Sequence, residues 1–360
     1  MNIKLGDLCK IQAGGTPSRN ISKYWENGDI PWVKIGDIES KFLNKTTEFI
    51  TKEGLNNSSA KMIEKGSILY TIFATLGEVC ITNIDVTTNQ AIAGLTLRDD
   101  KVDLEYLYYF LKSLHLHVNS IGRGVAQNNI NLTILREFSV PVPNRKKQLE
   151  IANILKVIEN IIESRKKQIQ EYDQLIKSRF VEMFGNPIKN DKEWKLKFLD
   201  EVCDVRDGTH DSPKYYNVGY PLITSKNISN GNIDYSTAQL ICEEDYQNIN
   251  KRSKVDNGDI LMPMVGTVGG AIIVRKERDF AIKNVALIKF NTKLVENTFI
   301  KYVLNSDQMN LHFEDLKKGG TQKFIGLKTI RNLPIIVPPI KLQSQFATFV
   351  QQVDKLKFEV

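Results

Sequence analysis

The sequence is written twice. Leu5-Gly6-Asp7-Leu8-Cys9-Lys10-Ile11 aligns with Leu199-Asp200-Glu201-Val202-Cys203-Asp204-Val205 at an offset of 194. Pro31-Trp32-Val33 aligns with Pro221-Leu222-Ile223 at 190, and Gly66-Ser67-Ile68-Leu69 with Gly258-Asp259-Ile260-Leu261 at 192. Thr75 and Gly77 match Thr267 and Gly269. Gln127, Ile130, Leu132 and Arg136 match Gln322, Ile325, Leu327 and Arg331 at 195, as Gln148 and Ala152 match Gln343 and Ala347. Chance matches scatter over many offsets; a duplicated segment with small loop insertions drifts like this. A repeat of this length requires two similar globular units, each with its own core. The 360 residues suffice for both.

Each copy follows one plan. Short strand-like runs at 30–35, 67–73, 78–82 and 91–97 are separated by Gly- and Asn-rich loops. A helix follows, with Leu104, Leu107, Tyr108, Leu111 and Leu114 on one face. A loop at 122–129 precedes an extended segment, 138–142, that ends at Pro143. The second copy repeats this, with Phe299, Ile300 and Val303 in its helix and Pro338-Pro339 at its end.

After Pro143 the pattern changes. No Gly or Pro occurs from Arg145 to Phe184. Ile151, Leu155, Ile158, Ile162, Ile169, Tyr172, Ile176 and Phe180 form a helical stripe with one skip at Arg165-Lys166, and Gly185 and Pro187 end it. Forty residues make a rod of roughly 60 Å. A single apolar stripe on so long a helix needs a cover. Phe346, Val350, Val353 and Leu356 carry the same period after Pro339, so an antiparallel pair is expected. The second helix, running to Val360, covers about half of the first, leaving Ile169, Tyr172, Ile176 and Phe180 for a partner subunit or a second copy of the chain. The fold class is therefore α+β: globular units at 1–143 and 186–339, helices at 144–185 and 340–360, the helices pairing as a coiled coil.

Composition excludes several classes. No apolar run reaches the ~18 residues of a membrane helix. The start of the chain lacks the basic-then-apolar layout of a signal peptide, so the expectation is a cytoplasmic protein. Cys9, Cys80, Cys203 and Cys242 are far apart and form no CxxC pair, which fits reduced core thiols. The net charge of +7 is spread along the chain. It permits a polyanionic partner without demanding one.

Catalytic motifs are absent. There is no GxxxxGK[ST] loop, GxGxxG, GxSxG or HExxH. Gly266-Thr267-Val268-Gly269-Gly270 reads as a turn. Asn186-Pro187-Ile188 lacks the aromatic residue that base-flipping amino-methyltransferases place after Asn-Pro. His115 and His117 make a weak metal pair, and Glu39-Ser40-Lys41 is a bare nuclease-like triplet of a kind common by chance. His210 and His312 have no evident carboxylate or nucleophile beside them. Two globular units, a long helical spacer and no reaction centre describe a binding device.

These residues resemble the specificity (S) subunits of type I restriction-modification enzymes, over essentially the whole chain. The resemblance rests on Leu5-Gly6-Asp7-Leu8 followed by Gly14-Gly15-Thr16-Pro17, and on Gly28-Asp29-Ile30-Pro31 within 25–32. Pro141-Val142-Pro143 leading into Gln148, Ile151-Ala152 and Ile154-Leu155, and the helix end at 180–185, complete it. It implies a non-catalytic subunit whose two target-recognition domains each read half of a bipartite double-stranded DNA site. It implies helices that set the half-site spacing and dock two methyltransferase (M) subunits, with restriction (R) subunits joining. S-adenosylmethionine, ATP and Mg would then sit on those partners, and this chain would hold no cofactor and no metal. A coiled-coil scaffold, or a repressor without a methyltransferase, is the competing reading.

Base readers need amide, hydroxyl and basic side chains on loops. Thr16, Arg19 and Lys23 lie on one candidate loop, and Arg123, Gln127, Asn128 and Asn129 on a second. In the other copy, Thr209, His210 and Lys214 match the first loop, and Lys317, Lys318, Thr321, Gln322 and Lys323 the second. Gln127 and Gln322 recur in both copies and so fit shared scaffold or phosphate contacts; residues that differ are better base readers. Tyr24, Trp25, Tyr215 and Tyr216 are read as buried packing residues rather than wedges. Arg165-Lys166-Lys167, Glu159 and Glu163 are read as a solvated helix face.

Overall fold

A computed structural model describes residues 1–115, 130–229, 231–265, 269–316 and 324–359. The chain divides into two compact units, Met1–Glu163 and Ser164–Val360. Among the described residues, no helix is long and apolar enough to cross a membrane.

The first unit is built on a five-stranded sheet in the order Cys9–Ala13, Ile92–Leu97, Ile68–Thr71, Val79–Thr82 and Phe42–Leu43. A three-stranded sheet places Ile30–Val33 between Glu48–Ile50 and Thr87–Thr88, antiparallel to the former and parallel to the latter. Asn2–Lys4 pairs with Ser139–Pro141. The Leu104–Ser113 helix, capped by the Asp103 side chain on Tyr106 N at 3.0 Å, buries Leu107, Tyr108 and Leu111 against the larger sheet's core. The four strand-like runs and this helix stand where the sequence pattern places them, trimmed by a residue or two at their ends.

The second unit repeats the plan. Asp204–Asp207, Val285–Lys289, Ile260–Pro263 and Ile272–Ile273 form its larger sheet. Tyr220–Ile223 again runs antiparallel to one neighbour, Gln239–Ile241, and parallel to the other, Ala281–Ile282. Lys195–Phe198 pairs with Pro334–Val337.

The repetition extends to single buried hydrogen bonds. Gln148 Nε2 donates to Pro143 O at 2.8 Å and Lys101 O at 3.0 Å, and its Oε1 accepts from Asp103 N at 2.7 Å. Gln343 does the same with Pro338 O at 2.8 Å, Leu294 O at 3.0 Å and Glu296 N at 3.0 Å. Both side chains are buried, so these bonds replace water that cannot reach the groups. Arg136 donates to Ile11 O at 3.4 Å, and Arg331 to Val205 O at 2.8 Å.

The central helix is Arg145–Phe184. Asn144 starts it by accepting from Lys147 N at 3.0 Å. Gly185, at φ +74°, ends it: its N–H reaches Val181 O at 2.8 Å, and a Cβ there would run into Asp191. Within the first unit this helix packs through Gln148, Ile151 and Ala152. Leu155, Ile158 and Ile162 are 36%, 46% and 49% exposed. Ile169 is exposed in the second unit. There the second helix, Ile340–Glu359, buries Phe346, Val350 and Val353 against Ile176, Phe180 and Phe184, with Tyr172 half-buried beside them.

The expected uncovered half is largely covered: Ile176 and Phe180 are buried and Tyr172 half-buried, while Ile169 stays exposed. Leu155, Ile158 and Ile162 near the start of the central helix are exposed instead of covered. The pairing of Lys195–Phe198 with Pro334–Val337 explains it. The strand leading into the second helix runs beside the strand that follows Gly185. The second helix must then begin next to the end of the first.

Glu159 is not solvated as the charge pattern suggests. It accepts from Lys112 Nζ at 2.6 Å and from the Tyr109 hydroxyl at 2.9 Å. Burial pushes its carboxyl upward, but these hydrogen bonds outweigh that and hold it below the ordinary range. Lys41 of the nuclease-like triplet is tied to Glu105 at 2.9 Å and to Tyr109 at 3.1 Å, a structural role. Cys9, Cys80 and Cys203 are buried thiols that desolvation pushes up to about 12; Cys242 is half-buried.

Candidate nucleic-acid interface

In the first unit the strand Cys9–Ala13 runs into Gly14-Gly15-Thr16. Gly14 N donates to Ile92 O at 3.2 Å and Gly15 N to Thr88 O at 2.8 Å. Side chains would not fit: a Cβ on Gly14 would meet the carbonyls of Thr88 and Asn89, and one on Gly15 the backbone of Ser59 and Ala60. This close approach sets exposed Thr16 against exposed Gln90, whose Oε1 accepts from the Thr16 hydroxyl at 2.5 Å.

Further along, the Arg19 guanidinium lies 3.7 Å from the centre of the Trp25 ring and 4.8 Å from that of Trp32. The two indoles meet edge to face, and Trp32 Nε1 anchors the loop through Gly15 O at 2.9 Å. Arg19 and Lys34 share Glu48, at 2.6 and 2.9 Å. Their hydrogen bonds hold the Glu48 carboxyl below its ordinary value. Lys23 stands apart, paired with Glu53.

The second unit uses the same backbone with other side chains. Gly208 N donates to Val285 O at 3.1 Å and Thr209 N to Ile282 O at 3.0 Å. A Cβ on Gly208 would strike the Ile282 carbonyl. His210 Nδ1 is 2.7 Å from Asn284 Oδ1 and its Nε2 is 2.9 Å from Asp207 Oδ2. The histidine thus does have a carboxylate beside it, one that three residues of extended strand and tight turn bring back to the ring. Asp207 is buried and also paired with Arg252. A cavity of about 320 Å³ lies along this loop, lined in part by Thr209, Ser212 and Arg252. Lys283 donates to Ser212 Oγ at 2.6 Å, and the Lys214 ammonium lies 5.7 Å from the Tyr216 ring centre. Tyr215 and Tyr216 are exposed, against the expectation of burial, although a short bridge from Tyr216 to Leu240 joins this part of the loop to the sheet.

The structure thus brings Thr16 and Arg19 onto one loop in the first unit, and Thr209, His210 and Lys214 onto its counterpart in the second. Arg123, Gln127, Asn128, Asn129, Lys317, Lys318, Thr321, Gln322 and Lys323 lie outside the described residues, as do His117 and the turn residues 266–268. Sequence reasoning missed Gln90, Asn284, Lys34, Lys283 and Arg252. Gln90 and Asn284 stand 194 residues apart, the offset of the repeat itself, which was the signal available to find them. Among the described residues, no group of three His, Cys, Asp or Glu side chains could hold a metal ion.

Comparison with known proteins agrees with this architecture. The specificity subunit of the type I restriction enzyme MjaIX of Methanocaldococcus jannaschii is 26% identical over 380 residues, covering 97% of this chain and 85% of that protein. The MjaVIII specificity subunit of the same organism is 21% identical, over 98% and 86%. The fold is similar to that of a type I restriction-modification S subunit from M. genitalium, with a TM-score of 0.55, 15% identity and coverage of 100% of this chain and 90% of that one. A chain from a structural study of type I R-M complex assembly has a TM-score of 0.60 at 17% identity, over 100% and 92%. The family model described as "Type I restriction modification DNA specificity domain" matches residues 1–172 and again 191–360. Two matches to one family, in tandem over nearly every residue, show that the chain belongs to the type I restriction-modification DNA specificity family.

Proposed function

We propose that this chain is the DNA-specificity subunit of a type I restriction-modification complex. The segments 1–143 and 186–339 each read one half of a bipartite double-stranded target. The helices at 144–185 and 340–360 set the distance between the halves and dock two M subunits, to which R subunits are added. The chain itself performs no bond chemistry and acts in the cytoplasm; S-adenosylmethionine, ATP and Mg belong to the partner subunits.

The observation that carries this reading is the pair of matched loops. The same glycine-dependent backbone, held by the same hydrogen bonds, presents Thr16 and Arg19 in one unit and Thr209, His210 and Lys214 in the other. One scaffold with two sets of side chains is what reading two different half-sites calls for. The exposed Ile154, Leu155, Val157, Ile158, Ile161 and Ile162 offer an apolar helix face of the kind subunit docking or self-association uses.

The test is to co-express the chain with its methyltransferase and map methylated bases across a genome. A two-part motif with a fixed spacer is expected. Adding four residues to the central helix, roughly 6 Å, should lengthen that spacer by about two base pairs at ~3.4 Å each. Methylation with no two-part motif, or a spacer that ignores the insertion, would favour the scaffold or repressor reading.

A further inference from the structure

One carboxamide stands at the same place in each unit. Asn89 N donates to Val33 O at 3.0 Å, and Gln90 follows it; Lys283 N donates to Ile223 O at 2.9 Å, and Asn284 follows it. In both units the amide is met by the side chain two residues after the close-packed glycine: Thr16 after Gly14, His210 after Gly208. The contacts are 2.5 Å and 2.7 Å, each to the amide oxygen.

The orienting groups are unrelated. Thr16 acts alone, and the position equivalent to Asp207 in the first unit is Ala13. In the second unit Asp207 and Arg252 back the histidine. Unrelated side chains holding a carboxamide at one position point to use of the amide, since a mere loop tie needs no amide there. Each amide keeps spare capacity: its oxygen has a second lone pair, and its NH2 has no hydrogen-bond partner among the described residues. Gln90 is exposed and Asn284 half-exposed. Basic groups belong to the same contact networks. Arg19, three residues after Thr16, shares Glu48 with Lys34 in one unit. In the other, Lys283 precedes Asn284, while Arg252 meets the Asp207 that backs His210. Such side chains suit phosphates, while a carboxamide fork matches the N6 and N7 edge of adenine.

We infer that Gln90 and Asn284 are equivalent base-edge contacts, one for each half-site and each suited to adenine, with Thr16 and His210 as their positioning residues. This rests on the specificity-subunit reading.

The test uses the chain assembled with its methyltransferase, with genome-wide methylation mapping of wild type, Gln90→Ala and Asn284→Ala. Each variant is expected to keep the spacer and lose about tenfold discrimination at a single A·T pair. The affected pair should lie in one half-site for Gln90→Ala and in the other for Asn284→Ala. Thr16→Val and His210→Phe should relax the same pairs more weakly. Gln90→Glu should move the preference at its pair toward cytosine, a change that loss of a loop tie does not produce. Unchanged discrimination in both alanine variants overturns the inference, as does a loss spread evenly over a whole half-site. If an alanine variant does not assemble, Gln90→Glu and Thr16→Val decide by the same criterion. A wild-type complex without a two-part motif refutes the functional reading; a wild-type motif that these variants leave intact refutes only this assignment.

Discussion

Lys357 Nζ lies 2.6 Å from Asp173 Oδ1, while at the other end of the same helix the Phe346 ring packs 5.5 Å from that of Phe184. Numbers rise along one helix as they fall along the other, so the pair is antiparallel. The aromatic end carries the energy. Phe346 is buried among Phe180, Phe184, Phe299 and Tyr302, whereas Asp173 is largely exposed.

Phe346→Ala should therefore destabilise the second unit by about 3–5 kcal/mol, the range for emptying a buried aromatic site. Lys357→Ala should cost under ~1 kcal/mol, because an ion pair with one exposed partner is weak. Denaturant unfolding of the two variants checks the contrast; equal losses would contradict it.

Gln148→Leu and Gln343→Leu each remove the buried side-chain partner of two carbonyls and one N–H, most of them half-buried. Each should lose about 2–4 kcal/mol. The damage should be local, so limited proteolysis should open the first unit in one variant and the second in the other. Loss of protection in the wrong unit would count against the matched-network account.

Gly14→Ala and Gly208→Ala place a methyl group against backbone carbonyls and should cost more than ~2 kcal/mol. Gly36→Ala is the control: nothing lies within 4 Å of the added atom, and its φ is not in the left-handed region. It should be neutral or stabilising by about 0.5 kcal/mol. Thermal melting of the three variants separates these outcomes.

Glu48 supplies a pH dependence. Hydrogen bonds from Lys34 and Arg19 hold its carboxyl below the ordinary 4.5. A group whose folded value is depressed stabilises the fold fully above its unfolded value and loses that contribution as pH falls through the folded one. The stability difference between wild type and Glu48→Gln should thus be constant near neutrality and shrink below about pH 4.5. Urea unfolding at pH 7 and pH 3.5 measures it; a gap that widens in acid would show that Glu48 is not held this way.

Much of the fold was legible because its signals are local or repeated. The strand at Ile92–Leu97, the helix at Leu104–Ser113 and both ends of the central helix follow from runs, periods and caps within a few residues of each other. The site was less legible. Thr16 and His210 stood out as polar residues on glycine loops, but Gln90 and Asn284 sit after unremarked short strands and matter only through contacts 74 residues away. Asp207 escaped notice beside His210 because a linear reading does not show that the chain folds the two together.

By itself the sequence determined that there are two units of one plan, joined through an unbroken helix with an apolar stripe. Periodicity and repetition are properties of the chain read along its length. Which part of the stripe is covered was decided by tertiary structure alone. Leu155 and Val350 are equivalent in the repeat, yet one is 36% exposed and the other 5%. Val350 meets a helix face more than 160 residues earlier in the chain, and only the strand pairing that sets where the second helix begins could select it.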